Sequence, residues 1–154
     1  VVENILGLIH ANAGIDKSNI KSDSNNPRVL LLPLDPDKSA TEIRKEILKK
    51  TKKKVGIIIN DSSGRAWRNG IVGIAIGSSG AEVLSDLKGN LDLFGNTLEV
   101  TEVGKADEVA SAASLLMGQG KEALPVVVIK GLTESEDLNG AKALIRKPSE
   151  DLFR

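Results

Sequence analysis

The chain has 154 residues with 21 basic side chains against 21 acidic ones, so a single domain is the default and there is no broad positive field for non-specific nucleic-acid binding. The lack of cysteine excludes thiol redox chemistry, thiolate zinc sites and disulfide scaffolds. Trp67, Phe94 and Phe153 are its only aromatic residues, so the core must be built from Val, Ile, Leu and Ala, and stacking platforms for single-stranded nucleic acid are not expected.

Val1 to His10 is mostly apolar with no helix-start signal, which predicts an interrupted strand. No charged-then-apolar leader opens the chain and no apolar run approaches the ~20 residues of a transmembrane span, so the expectation is a cytoplasmic protein without membrane attachment. The segment 11–19 is dense in small residues and carries Asp16 and Asn19. It is either a tight loop with local Asx turns or a place where backbone and hard oxygen approach a ligand. Val29–Leu32 reads as a buried strand ended by Pro33 and a turn at Asp35-Pro36-Asp37. The Asp35/Asp37 pair serves equally in turn and helix-start duty or as cation ligands.

Ser39-Ala40-Thr41-Glu42 has capping-box spacing, predicting a helix over 40–53 with Ile43, Ile47 and Leu48 on its apolar side. Lys49, Lys50, Lys52, Lys53 and Lys54 suit the negative end of that helix better than a nucleic-acid patch. Val55–Ile59 predicts a buried strand, 55–60, that delivers Asp61 into a turn of Ser62, Ser63 and Gly64, with Arg65, Trp67 and Arg68 following. A strand-end carboxylate with nearby guanidinium groups has the parts to hold a cation and the phosphates it neutralises; a surface turn with solvated charges has the same composition. Further strands are predicted at 71–76, 98–103 and 124–129, with turns at Gly77–Gly80 and Gly89-Asn90. A second helix is predicted at 106–117, opened by Asp107 and Glu108 and ended by Gly118 and Gly120. Gln119 sits between these glycines, as part of a plain C-cap or as a carbonyl within reach of a cation. The fold class is α+β, with a mixed or antiparallel sheet and flanking helices. Neither the Rossmann fingerprint nor a P-loop occurs.

Several motifs occur in one order: Asn12-Ala13-Gly14-Ile15-Asp16 with Ser18-Asn19, Leu32-Pro33-Leu34-Asp35-Pro36-Asp37 with Ser39-Ala40, and Asp61-Ser62 with Gly64-Arg65 and Trp67-Arg68. Asp92-Leu93-Phe94-Gly95, Ala106-Asp107-Glu108, Met117-Gly118-Gln119 and Asp151-Leu152-Phe153-Arg154 follow. Together they make the chain resemble the coenzyme F420-0:L-glutamate ligase family (F420:gamma-glutamyl ligases), over roughly its C-terminal two-thirds. The resemblance implies a gamma-glutamyl ligase-like fold and a homodimer. It implies a GTP-dependent enzyme that adds L-glutamate, γ-linked, to coenzyme F420-0 through an acyl phosphate, with Mg or Mn. Carried over by position, Asp16, Asp61, Ser62 and Gln119 match the metal ligands. Asn19 and Met117, Gly118, Gln119, Gly120, Lys121, Glu122, Ala123 and Leu124 match the GTP site. Ser62 stands where Thr is often found, and either supplies a hydroxyl.

Asp61, Arg65 and Arg68 are the candidate catalytic residues, the two arginines as phosphate neutralisers or as structural ion pairs. Family members carry roughly a further third before the Asn12 motif, including a Gly-Leu-Pro loop and a Ser/Lys segment of the GTP site. That upstream part is expected to be absent here. A nucleotide- and metal-binding module without turnover is therefore the alternative expectation.

Overall fold

The computed structural model describes residues 1–133, 135 and 139–151. Phe153 and the end of the C-terminal motif, 152–154, lie outside the described residues. Among the described residues the architecture is mixed α+β with three two-stranded antiparallel sheets. The first pairs β1 (Val2–Glu3) with β2 (Ile9–His10), the interrupted strand expected there. A 3-10 turn, Ala11–Gly14, follows at once. The helix α1 spans Pro36–Thr51. The long hairpin of β3 (Ile57–Arg65) and β4 (Arg68–Ser79) is the centre of the molecule. The third sheet pairs β5 (Ser85–Asp86) with β6 (Glu102–Val103), and α2 spans Lys105–Met117.

Helix α1 starts earlier than the capping-box spacing predicts. The Asp35 side chain accepts from the Lys38 amide at 2.9 Å and Pro36 occupies the first turn, so Asp35-Pro36-Asp37 is a helix start and not a free turn. Ser39 lies inside the helix, and its hydroxyl donates to the Asp35 carbonyl at 3.0 Å. The helix ends at Lys52, in the left-handed region at φ 60°. Its buried residues are Pro36 and Ala40, while Ile43 and Leu48 of the expected apolar side are exposed.

The central correction concerns the hairpin. The strand does not stop at Asn60: it continues through Asp61, Ser62, Ser63 and Gly64, which pair with Ile74, Gly73, Val72 and Ile71. The partner strand supplies the hydrogen bonds, so low intrinsic strand preference of Ser and Gly is overridden. The turn falls instead at Ala66-Trp67, with Trp67 at φ 62°. Gly77–Ser79, expected as a turn, likewise belongs to β4. Ile57–Ile59 are half-buried and not fully buried.

Two other strand predictions fail for want of partners. Leu124–Ile129 belongs to no strand, and Val29–Leu32 contributes only a single antiparallel bridge, Leu30 to Asp16, with Val29, Leu30 and Leu31 exposed. Of the strand expected at 98–103, only Glu102–Val103 is assigned, although Leu98 and Thr101 still exchange backbone bonds with Gly89, Asn90 and Leu87.

Both helices pack on β4. A Cβ at Gly73 would collide with the Ser114 hydroxyl and the Ala110 carbonyl of α2, and one at Gly77 with the Pro36 carbonyl of α1. These glycines let the helix backbones approach the hairpin. The core they enclose is correspondingly small-residued: Ala75, Val83, Ala106, Ala110 and Ala141, with Ile58 and Leu144 packed against it. Two aspartates act as staples. Asp37 Oδ1 accepts from the Ser78 and Ala141 amides at 2.8 and 2.7 Å, and Asp107 Oδ1 accepts from the Ala75 amide at 2.8 Å. This is structural work for Asp35 and Asp37, and the described contacts give neither a place in a cation site. Among the described residues, no helix is long and apolar enough to cross a membrane.

Candidate ligand and metal cleft

A cleft of about 1520 Å³ lies between the β3–β4 hairpin, the turn after β2 and the segment beyond α2. Three stretches far apart in sequence bring the predicted site residues to its walls. The first carries Asp16 and Asn19, the second Asp61, Ser62 and Arg65, and the third Met117 to Lys121 with Ala123 and Leu124. Arg68 and Glu122 do not line it.

Asp16 is held by its own loop. Its backbone bridges to Leu30 at 3.1 and 2.9 Å, and its Oδ1 accepts from the Ser18 hydroxyl and, at 2.7 Å, from the Ser18 amide. The Ser18 hydroxyl first, and the Ser18 amide after it, hold the Asp16 carboxyl below the usual carboxylate range. Asp16 therefore stays ionised at neutral pH, as a ligand to a hard cation must.

Asp61 sits in mid-strand opposite Ile74, with its side chain partly exposed. Its Oδ1 accepts from the Ser62 amide at 2.7 Å, and its Oδ2 lies 3.9 Å from His10 Nδ1. Arg65 folds back over the hairpin turn, Nη2 donating to the Asn69 carbonyl at 3.2 Å. Arg68 faces Arg65 in register across that turn and is exposed.

The third wall begins where α2 ends. Gly118 caps the helix at φ 71°, its amide donating to the Ser114 carbonyl, and a Cβ there would collide with the Glu122 carboxylate. The exposed Glu122 carboxylate accepts from the Gly120 amide at 2.8 Å. Asn19 reaches across from the first wall, its Nδ2 donating to the Gly120 carbonyl at 2.9 Å. That bond couples two segments 101 positions apart. Asn60 ties the hairpin to the end of α2, its Nδ2 donating to the Ala110 carbonyl at 3.3 Å and the Ser114 hydroxyl at 3.2 Å, with Met117 Sδ at 3.5 Å.

Two cleft residues, Asn60 and His10, lack the local pattern that marks the others. Asn60 ends an apolar run, and His10 is the chain's sole histidine, which was the one signal it offered.

Among the described residues, no group of three or more His, Cys, Asp and Glu side chains is placed to hold a metal ion. The candidate donor set is instead two carboxylates, a hydroxyl and a carboxamide: Asp16, Asp61, Ser62 and Gln119, all lining this cleft. These are hard oxygen donors, so the set fits Mg or Mn and not a soft metal.

The fold and cleft define an α+β protein with a cleft of mixed polar and apolar lining, built by a hairpin, a tight loop and a glycine-capped helix end. Residues 1–131 match the profile of a family described as F420-0:gamma-glutamyl ligase, and the chain belongs to that family. It is 48% identical over 154 residues to the coenzyme F420:L-glutamate ligase of Methanocaldococcus jannaschii and 49% identical to that of Methanococcus maripaludis strain C6. It is 44% identical to the coenzyme F420:L-glutamate ligase of Archaeoglobus fulgidus. Each match covers 100% of this chain and 60% of the relative, so the chain spans less than two-thirds of the length of the curated relatives it matches.

Proposed function

We propose that this chain carries the nucleotide and metal cleft of a GTP-dependent ligase that joins L-glutamate to coenzyme F420-0, working in the cytoplasm as a homodimer. The observation that carries the reading is the convergence of Asp16, Asp61, Ser62 and Gln119 on one cleft beside Asn19 and the segment 117–124. Family membership and the printed activity of the relatives supply the reaction class.

The chemistry suits such a site. A carboxylate is a poor acylating agent at neutral pH. Attack of the F420-0 carboxylate oxygen on the γ-phosphorus of GTP releases GDP and leaves an acyl phosphate. The glutamate amine then attacks the acyl carbon, loses a proton, and expels inorganic phosphate as the amide forms. Bound Mg or Mn neutralises phosphate charge in such transfers. Asp16, Asp61, Ser62 and Gln119 would hold it. Asn19 and the amides of the 117–124 segment orient the nucleotide, and Arg65 offsets charge on the transferring phosphoryl group.

Mn(II) titration followed by electron paramagnetic resonance, GDP titration calorimetry and mass-spectrometric detection of glutamylated F420-0 test this in sequence. Asp61→Asn is expected to weaken Mn(II) binding and to reduce turnover by ~100-fold or more, as loss of a charge-stabilising group does. Unchanged binding and turnover would remove Asp61 from the site. The second reading is a nucleotide- and metal-binding module without turnover. Nucleotide binding without glutamylated product would support that one.

A further inference from the structure

We propose that His10 is a positioning residue of this cleft, its Nδ1–H directing the Asp61 carboxylate and fastening the loop that carries Asp16 to the hairpin that carries Asp61. The proposal rests on the reading of the cleft as a cation site.

His10 closes β2 and is buried at 6% exposure, an unusual place for the chain's only imidazole. Its Nδ1 lies 3.9 Å from Asp61 Oδ2, and its Nε2 is buried without a hydrogen-bond partner among the described residues. A neutral imidazole carries one N–H and one bare nitrogen. An orphaned buried N–H is rarer and costlier than an under-used acceptor, so the proton belongs on Nδ1, facing the carboxylate. The terminal torsions of histidine and aspartate are both soft, and closing 3.9 Å to hydrogen-bond length takes rotation shared between the two side chains, so that Oδ1 stays within reach of the Ser62 amide.

Asp61 is then gripped at both oxygens, Oδ1 by the Ser62 amide at 2.7 Å and Oδ2 by His10. Each oxygen keeps a second lone pair for a cation. An orienting partner behind a metal-binding carboxylate is how such ligands are held in place.

The same residue fixes the loop. The 3-10 turn Ala11–Gly14 runs directly from His10 toward Asp16. Gly14 adopts φ +73°, and a Cβ there would collide with Leu32 and stand 3.3 Å from His10 Nδ1. Glycine is therefore required for the loop to close over the imidazole.

The test uses Mn(II) binding by the whole chain, read by electron paramagnetic resonance, in four forms: parent, Asp61→Asn, His10→Leu and His10→Asn. His10→Leu keeps the volume and removes the donor, and is expected to weaken Mn(II) about tenfold, the effect of losing a hydrogen bond to a charged group. His10→Asn places an amide N–H near the Nδ1 position and is expected to recover most of that loss. An Asp61→Asn chain that binds Mn(II) like the parent overturns the cation reading itself. Weakening in Asp61→Asn with none in His10→Leu overturns the role of His10 alone, as does His10→Asn binding no better than His10→Leu. Nitrogen coupling from His10 in the Mn(II) spectrum would make it a ligand and also overturn the proposal. Should His10→Leu fail to fold, ¹⁵N spectroscopy of the parent decides: a proton on Nδ1 supports the proposal, and one on Nε2 overturns it.

Discussion

Asp16 shows how a single loop residue is prepared before any ligand arrives. The Ser18 hydroxyl and amide stabilise its ionised form, so its folded pKa lies below the ordinary value. Its stabilising contribution is therefore fully present above the ordinary carboxylate pKa and is lost as the pH falls through the lower folded one. Ser18→Ala is expected to move the Asp16 pKa up toward the ordinary range in a ¹³C carboxyl titration. It is also expected to shift the onset of acid-induced loosening of the loop to higher pH. An unchanged pKa would mean that the backbone amide alone sets it. At this scale Asp16 and Asn19 were legible, because small residues around a carboxylate and a carboxamide advertise a tight polar loop. His10 was not, because its partner is 51 positions away at Asp61 and only the fold brings them to 3.9 Å.

At the level of elements, helix starts and close packing decide the geometry of the cleft. The capping-box spacing points to Ser39 as the cap of α1, and the structure uses Asp35 instead. Asp35→Ala is expected to lower stability by ~1 kcal/mol, and Ser39→Ala by no more than ~0.5 kcal/mol, in urea unfolding. The reverse order would restore the capping box at Ser39. Gly73→Ala drives a methyl into Ser114 and the Ala110 backbone. An expected cost of ~1–3 kcal/mol follows from overpacking, since the Ala110 backbone has no rotamer to escape into. Because Asn60 and Ser114 join there, the same substitution should also weaken GDP binding at the 117–124 segment, measured by titration calorimetry. Both helices were visible from local composition, α1 from the lysines at its end and α2 from its alanines, its opening acids and the glycines that end it. The length of the hairpin was not, since Ser62, Ser63 and Gly64 adopt strand geometry only with β4 beside them.

Across the whole molecule, small core residues contrast with large apolar ones on the surface. Leu115 is 86% exposed, and Val126 and Val128 are each 77% exposed, all near the end of α2 or in the segment beyond it. Apolar surface of this extent favours association. Sedimentation velocity is expected to show a concentration-dependent dimer, and Leu115→Glu with Val128→Asp is expected to shift it toward monomer. A parent chain that stays monomeric at high micromolar concentration would count against the proposed homodimer.

Composition and motif order by themselves determined the α+β class, the two helices, the absence of thiol chemistry and the family. These depend on local propensity and on residues read in sequence. Only the tertiary structure decided that Asp61 lies within a strand, that Leu124–Ile129 stays out of any strand, and that His10 and Asn60 belong to the cleft. Strand pairing and side-chain approach are contacts between distant segments, and their free energy is set by the partner and not by the residue's own neighbours.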